Sequence, residues 1–140
     1  MVSSNLKLIK NEQIYYDFIR VLRTHPENTK GFLEQVELTQ LQQNDYMSKY
    51  SKNYWICLSG ETPVGFIGVV DEDIRLAVEP NFKNKGIGTF MVGEILKMNK
   101  SVTAKVLLEN ISSQKTFEKN NFKNYKTDEI FKYYKYDSRI

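Results

Sequence analysis

The chain has 140 residues, 41% apolar and 26% charged, with a net charge of +3. That length fits one domain, residues 1–140, with a core that needs no staple. So small a charge, with lysines spread among carboxylates, argues against a nucleic-acid binder, which carries a basic stripe. Cys57 is the only cysteine, excluding an internal disulfide and a multi-cysteine zinc site. No run of 18 apolar residues is present to span a membrane, and the opening MVSSNLKLIKNEQ lacks the apolar stretch of a signal peptide. A cytoplasmic protein with no membrane, nucleic-acid or metal partner is the expectation.

Asn5 to Lys10 alternates weakly and reads as a first strand. Asn11 stands where it could cap a helix whose apolar positions, Ile14, Tyr15, Phe18, Ile19 and Leu22, recur at helical spacing and end near Arg23. Thr24 to Asn28 forms a turn, because Pro26 biases His25 away from helix; Gly31-Phe32-Leu33 fits no periodic element. Thr39 and Gln42 make a capping box opening a second helix through Leu41, Tyr46, Met47 and Tyr50. From Asn53 the period changes. Tyr54 to Leu58 is a strand, Ser59 to Thr62 a hairpin turn, and Pro63 to Val70 a buried strand rich in β-branched residues. Asp71-Glu72-Asp73 turns the chain into a strand over Ile74–Val78. A strand at Thr103–Leu108, a helix from Ile111 to Asn120, and two short strands between Phe122 and Tyr136 complete the order.

The segment from Ile74 to Lys97 organises the rest. Its strand stops at Pro80, and a polar loop with Lys83, Lys85, Gly86 and Gly88 leads into an amphipathic helix through Phe90, Met91, Ile95 and Leu96. Strand, glycine loop and helix make an anion site: loop amides converge on oxygen atoms and the helix N-terminus adds partial positive charge. Gly86 and Gly88 let the backbone approach where a Cβ would obstruct it. Neither G-x-x-x-x-G-K-[ST] nor G-x-G-x-x-G is present.

What the loop resembles is the acyl-CoA loop of the GNAT superfamily of N-acetyltransferases, Gln/Arg-x-x-Gly-x-Gly/Ala, here Lys83-Asn84-Lys85-Gly86-Ile87-Gly88 and then Thr89. A second stretch is similar to the family's Asn-x-x-Ser/Ala-x-x-x-Tyr/Phe-x-x-x-Gly-Phe: Asn110, Ser113, Phe117, Asn121 and Phe122. The resemblance is good from Tyr54 to Phe122 and only in outline before that. It implies an α+β domain: a mixed, mostly antiparallel sheet, splayed into a V between its fourth and fifth strands, with helices on both faces. It also implies that acetyl-CoA binds with its diphosphate on the loop amides and its pantetheine against the backbone of Leu76, Ala77 and Val78. Asn110 would contact the CoA arm, although an asparagine before a helix also reads as a plain cap. Three positions depart from the pattern. Lys83 replaces Gln/Arg with compatible charge. Asn121 replaces a glycine but tolerates the left-handed conformation. Phe117 stands where many relatives carry a tyrosine general acid, a role that Tyr125, Tyr133, Tyr134 or Tyr136 could take over.

Acetyl transfer to an amine needs a neutral amine, a polarised thioester carbonyl and close approach of the two. The resemblance points to Glu72 and Asp73 as candidate bases, against the reading of both as a polar turn, with Asp73 also able to pair with Arg75 across one residue. It also puts acceptor recognition on the N-terminal helices, where Arg23, His25 and Tyr46 are the candidates, Arg20 close by. The expected activity is N-acetylation of a primary amine, the acceptor a nucleotide-linked amino sugar or another small amine. A protein N-terminus or lysine is the alternative acceptor, and a CoA-binding module without turnover the alternative class. A homodimer is compatible with these readings.

Overall fold

The change of period at Asn53 divides the molecule into a helical approach and a sheet. A computed structural model describes residues 5–25 and 39–139; of the turn expected over residues 24–28, Thr24 is still helical and residues 26–28 lie outside the described ones, as does the segment 31–33. Strand β1 (Leu6–Lys10) precedes helices α1 (Tyr16–Thr24) and α2 (Gln40–Tyr50). Strands β2 (Tyr54–Ser59), β3 (Thr62–Val70) and β4 (Asp73–Val78) form a meander, followed by α3 (Ile87–Leu96), β5 (Ser101–Leu107), α4 (Ile111–Lys119), β6 (Lys123–Thr127) and β7 (Phe131–Asp137). The strands join in one seven-stranded sheet ordered β1-β2-β3-β4-β5-β7-β6.

Local chemistry explains most boundaries. The capping box at α2 forms as expected: Thr39 Oγ1 accepts from the Gln42 N–H at 3.1 Å, and the Gln42 side chain accepts from the Thr39 N–H at 3.0 Å. His25 is extended, at φ −64° and ψ 131°, as a residue before proline should be. Asn11 does not cap α1. A 3₁₀ turn over Gln13–Tyr15 comes first, so the α-helix opens at Tyr16, out of Asn11's reach. Its amide instead donates to Ser51 Oγ at 3.3 Å and meets Met47 Sδ at 3.4 Å, tying β1 to the end of α2.

The β3–β4 hairpin closes on Asp71 and Glu72, at φ 53° and 66°. Two left-handed residues make the type I′ turn that suits a two-residue hairpin. All neighbouring strands pair antiparallel except β4 and β5, which run parallel and share a single register pair, Asp73↔Thr103. There the Thr103 N–H donates to the Glu72 carbonyl at 2.8 Å. Beyond that contact the two strands part, so the sheet is a V with its apex at Asp73.

Each face has its own core. On one, Ile19 and Leu22 of α1 and Met47 of α2 pack against Tyr54, Ile56, Phe66 and Ala77. On the other, Ile87, Met91, Val92 and Ile95 of α3 and Phe117 of α4 cover Cys57, Ile67, Ile74, Val102, Ala104 and Val106. Even-numbered residues of β4 and β5 therefore look towards α3 and α4, and odd-numbered ones towards α1 and α2.

Candidate active site

Which backbone groups the V leaves open follows from the ladder. The Glu79 N–H donates to the Val64 carbonyl at 2.8 Å, and a two-residue turn closes Val70 on Asp73. Antiparallel pairs alternate, so Asp73, Arg75 and Ala77 exchange their bonds with β3 while Ile74, Leu76 and Val78 direct theirs the other way. Ile74 is beside the Asp73↔Thr103 contact. Leu76 and Val78 have no strand opposite them, and among the described residues their N–H and C=O groups find no partner. They line an edge that an amide-bearing ligand could complete as an added strand.

A cleft of ≈ 280 Å³ opens there, walled by Ile74, Arg75 and Leu76 of β4, Ala104, Lys105 and Val106 of β5, Asn110, Ser113 and Phe117 of α4 and its cap, and Arg23, Tyr54 and Phe66 from the other face. A larger cavity of ≈ 480 Å³ between α2 and the β1–β2 edge has neither the splayed strands nor the glycine loop in its walls.

At the outer end of β4, Glu79 accepts from the Asn81 N–H at 2.9 Å and starts a short 3₁₀ turn over Pro80–Phe82. Its carboxylate is thus spent on the chain's own backbone. Asn84 (φ 63°) and Gly86 (φ 82°) then take the left-handed conformation, swinging the chain into α3 with Gly86 as its N-cap. The two glycines act differently. Gly86 supplies the positive φ, with open space where a Cβ would stand, whereas a Cβ on Gly88 would only reach ordinary contact with Thr116, 3.5 Å from its Oγ1. Among the described residues no acceptor meets the N–H groups of Asn84 to Thr89; the Phe90 N–H is the first that is satisfied, by the Gly86 carbonyl at 3.0 Å. Free amides at a helix N-terminus, with Lys83 and Lys85 exposed beside them, are a ready site for phosphate oxygens. Ile87 anchors the loop by burying its side chain in the core, and the Thr89 carbonyl accepts from Asn120 Nδ2 at 3.2 Å, clamping α3 to α4.

Asn110 does cap α4: its Oδ1 accepts from the Ser113 N–H at 3.2 Å. That bond uses the oxygen only, and Nδ2, in the cleft wall, has no acceptor among the described residues. The two uses can be separated. Asn110→Ala should cost about 1 kcal/mol of stability in urea unfolding, whereas Asn110→Ser retains a good cap, lacks the amide donor and adds no charge. If Nδ2 serves a ligand, Asn110→Ser leaves the unfolding midpoint in place and weakens acyl-CoA binding.

Phe117 forms the cleft floor, its ring 5.0 Å from Phe122 and stacked 6.0 Å from Tyr134. The sharp exit from α4 uses Asn121 at φ 67°, so asparagine does take the conformation expected of it. None of the four tyrosines considered as substitute acids lines the cleft. Tyr134 is fully buried and donates to Glu118 at 2.7 Å; burial and that carboxylate raise its pKa above the ordinary phenol range. Tyr133 donates to Asp128, Tyr125 is exposed, and Tyr136 packs on Phe122.

Of the two carboxylate candidates, Glu72 is exposed at the hairpin tip and Asp73 half-buried at the apex of the V. Burial raises the Asp73 pKa, opposed by Arg75, by the Thr103 hydroxyl bonded at 3.4 Å, and by Lys105. Cys57 is fully buried in the α3–α4 core, and burial pushes its thiol up to about 12, which rules it out as a nucleophile.

Arg23 and Tyr46 do come together, and with partners the sequence did not single out. The Tyr46 and Tyr54 hydroxyls are 2.7 Å apart, Arg75 Nη1 donates to Tyr46 at 3.3 Å, and the Arg23 guanidinium lies 5.3 Å from the centroid of the Tyr46 ring. Tyr54 is 1% exposed, and burial with its bond to Tyr46 lifts its pKa well above the phenol range. His25 follows α1, its N–H on the Leu22 carbonyl at 3.4 Å. Arg20 is paired to Asp17 at 2.7 Å. Only the Asp73-x-Arg75 alternation hinted at Arg75; Tyr54 gave no local signal.

The profile of the Acetyltransferase (GNAT) family matches residues 14–122. No curated protein sequence matches the chain. Similar solved structures include a domain from Methanocaldococcus jannaschii DSM 2661, 24% identical over 94% of this chain and 97% of that one with a TM-score of 0.81. Spermidine N-acetyltransferase from Vibrio cholerae, in complex with CoA and spermine, is 13% identical over 97% of both chains at a TM-score of 0.85. Campylobacter jejuni N-acetyltransferase PseH is 20% identical over 95% of this chain and 98% of that one at 0.68. Identities this low establish a shared fold; the family profile spans most of the chain, the splayed strands and both cleft helices included. The protein belongs to the Acetyltransferase (GNAT) family.

Proposed function

We propose that the protein uses acetyl-CoA to acetylate a primary amine by direct attack in a ternary complex. The observation that carries this reading is the pairing of two sets of open backbone donors, Leu76 and Val78 on the splayed strand and the amides of residues 84–89 where α3 begins. Solved structures of similar fold that hold CoA or acetyl-CoA support it. The residues fit such a group: the loop amides with Lys83 and Lys85 would hold the diphosphate, and Leu76 and Val78 the pantetheine amides. Acetyl-CoA supplies the activated acyl group as a thioester.

The chain's own part is positioning and charge. The free N–H groups of the β4 edge are the donors available to a carbonyl that gains negative charge. Asp73, at the apex, is the base for the ammonium proton, directly or through water; Glu72, turned to solvent, is second to it. Solvent can reprotonate a leaving thiol with a pKa of about 8.5, so Phe117 costs the reaction no obligatory acid. A small acceptor fits better than a protein segment, because the described cleft wall carries Arg23, Arg75 and Lys105 rather than the acidic groove a lysine-bearing peptide would seek.

Calorimetry with acetyl-CoA, followed by thiol release with a panel of amines, tests the reading. Binding without thiol release for any amine would favour the CoA-binding module. The base assignment has a pH signature. With its pKa raised, Asp73 should give an acid limb above the ordinary carboxylate range, activity rising with pH as it ionises. Asp73→Asn should remove that limb and lower turnover about 100-fold, the low end of general-base contributions, with Glu72→Gln changing less. An unaltered profile in Asp73→Asn retires it as base. The raised pKa also means that the folded state holds this proton more tightly than the unfolded chain. Its contribution to stability is therefore fully present in acid and lost as pH rises through the folded-state value.

A further inference from the structure

We infer that the acceptor is an amine that also carries an oxyanion, a carboxylate or a phosphate ester, and that Arg23 and Arg75 bind this group on the α1–α2 face of the cleft. The inference rests on the acetyl-transfer reading and names the chemistry of its second substrate. Arg23 arrives from the end of α1 and Arg75 from the middle of β4, and both are held on one aromatic unit. Arg75 Nη1 donates to the Tyr46 hydroxyl at 3.3 Å, and the Arg23 guanidinium lies 5.3 Å from the Tyr46 ring centroid. Lys105 of β5 lines the same cleft.

Neither arginine has a carboxylate within 4.0 Å among the described residues. The contrast with the rest of the chain is sharp: Arg20 is paired to Asp17 at 2.7 Å and Arg139 to Asp137 at 2.8 Å. Asp73, two residues before Arg75 on β4, accepts from Thr103 and acts on Arg75 only through its charge. Arg75 is exposed and Arg23 half-buried, so both guanidiniums stay open to a ligand in the cleft, and an anion seated there gains from two neighbouring cations. The planar fork of a guanidinium matches both carboxylate and phosphate oxygens.

These cations are not placed for the diphosphate of the cosubstrate. Arg75 is odd-numbered on β4 and looks towards α1 and α2, whereas the loop amides lead into α3 on the opposite face. A polycation such as the spermine of the Vibrio cholerae complex would meet like charge here, the described cleft lining carrying Arg23, Arg75 and Lys105 and no carboxylate.

The test measures kcat/KM for matched amines with and without the anion: an amino acid against its methyl ester, an amino-sugar phosphate against the free amino sugar, and spermidine. The anionic member should lead by about tenfold or more, the worth of one charge-assisted bond, and spermidine should rank last. Whichever of the first two pairs shows the larger gap identifies carboxylate or phosphate. Arg75→Gln and Arg23→Gln should collapse the gap, and Arg75→Lys should restore part of it. Equal rates within pairs, a lead for spermidine, or a gap that persists in both glutamine variants overturns the inference. So does a loss of acetyl-CoA affinity in those variants as large as the loss for the acceptor, because the arginines would then serve the cosubstrate. Should no amine turn over while acetyl-CoA still binds, transfer itself fails. Calorimetric titration of the CoA complex with the N-acetylated pairs then decides the anion preference separately: tighter binding of the anionic member, lost in Arg75→Gln, upholds it, and equal binding overturns it.

Discussion

Gly86→Val should weaken acetyl-CoA binding by about 100-fold or more while leaving the protein folded. The reason lies in the backbone. Gly86 is held at φ 82° as the N-cap of α3, a conformation that costs an L-residue about 1–2 kcal/mol and a β-branched one more. No heavy atom is within 4 Å of the position its Cβ would take, so the substitution creates no clash and the core beneath, anchored by Ile87, survives. The strain is relieved instead by rotation of the loop, which turns the amides of residues 86–89 away from a common point. Losing two charge-assisted bonds of about 1.5–3 kcal/mol each gives the stated drop in affinity. Calorimetry with acetyl-CoA, alongside urea unfolding, checks both halves. Normal affinity in a folded Gly86→Val protein would show that the loop does not hold the diphosphate, and the transfer reading would lose its support. Gly88→Ala, whose Cβ meets only Thr116 at 3.5 Å, should be mild by comparison.

Gly68→Val should cost about 3 kcal/mol of stability and disorganise the cleft wall that carries Arg23 and Arg75 as well. A Cβ at Gly68 would fall 2.7–2.8 Å from three carbons of the Tyr54 ring, and that ring has nowhere to retreat. It is 1% exposed, its hydroxyl is bonded to Tyr46 at 2.7 Å, and Phe66 packs 5.9 Å away. Overpacking of a closed core costs about 1–3 kcal/mol, and a β-branched residue on a central strand belongs at the upper end. The displaced ring would carry Tyr46 with it and thereby the seat of Arg23 and Arg75. Urea unfolding should show a lower midpoint at unchanged slope, and KM for the acceptor should rise more than KM for acetyl-CoA. A stable variant with both constants intact would mean that Tyr54 neither fills the core nor supports the cleft as described.

The parts of this protein legible from the sequence are those governed within a few residues. Asn121 took the left-handed turn in place of glycine, Pro26 kept His25 extended, and Thr39 and Gln42 closed their box, because backbone sterics and caps act over one helical turn. The glycine loop and the Asn110 cap are of the same kind. Cleft geometry is not. Leu76 and Val78 are free only because β4 keeps a single register pair with β5, a fact of strand placement that no alternation in either segment records. Asn11 shows the limit from the other side: a good local cap was drawn to Ser51, 40 residues on, because a 3₁₀ turn displaced the helix start. The phenols tell the same story, Tyr134 being spent on Glu118 while Tyr54, silent in the sequence, joins Tyr46 and Arg75. Short-range preferences thus determined the elements and the conformation of the glycine loop. Only tertiary pairing, acting between segments far apart in the sequence, decided which strand edge stayed open and which charges came to face it.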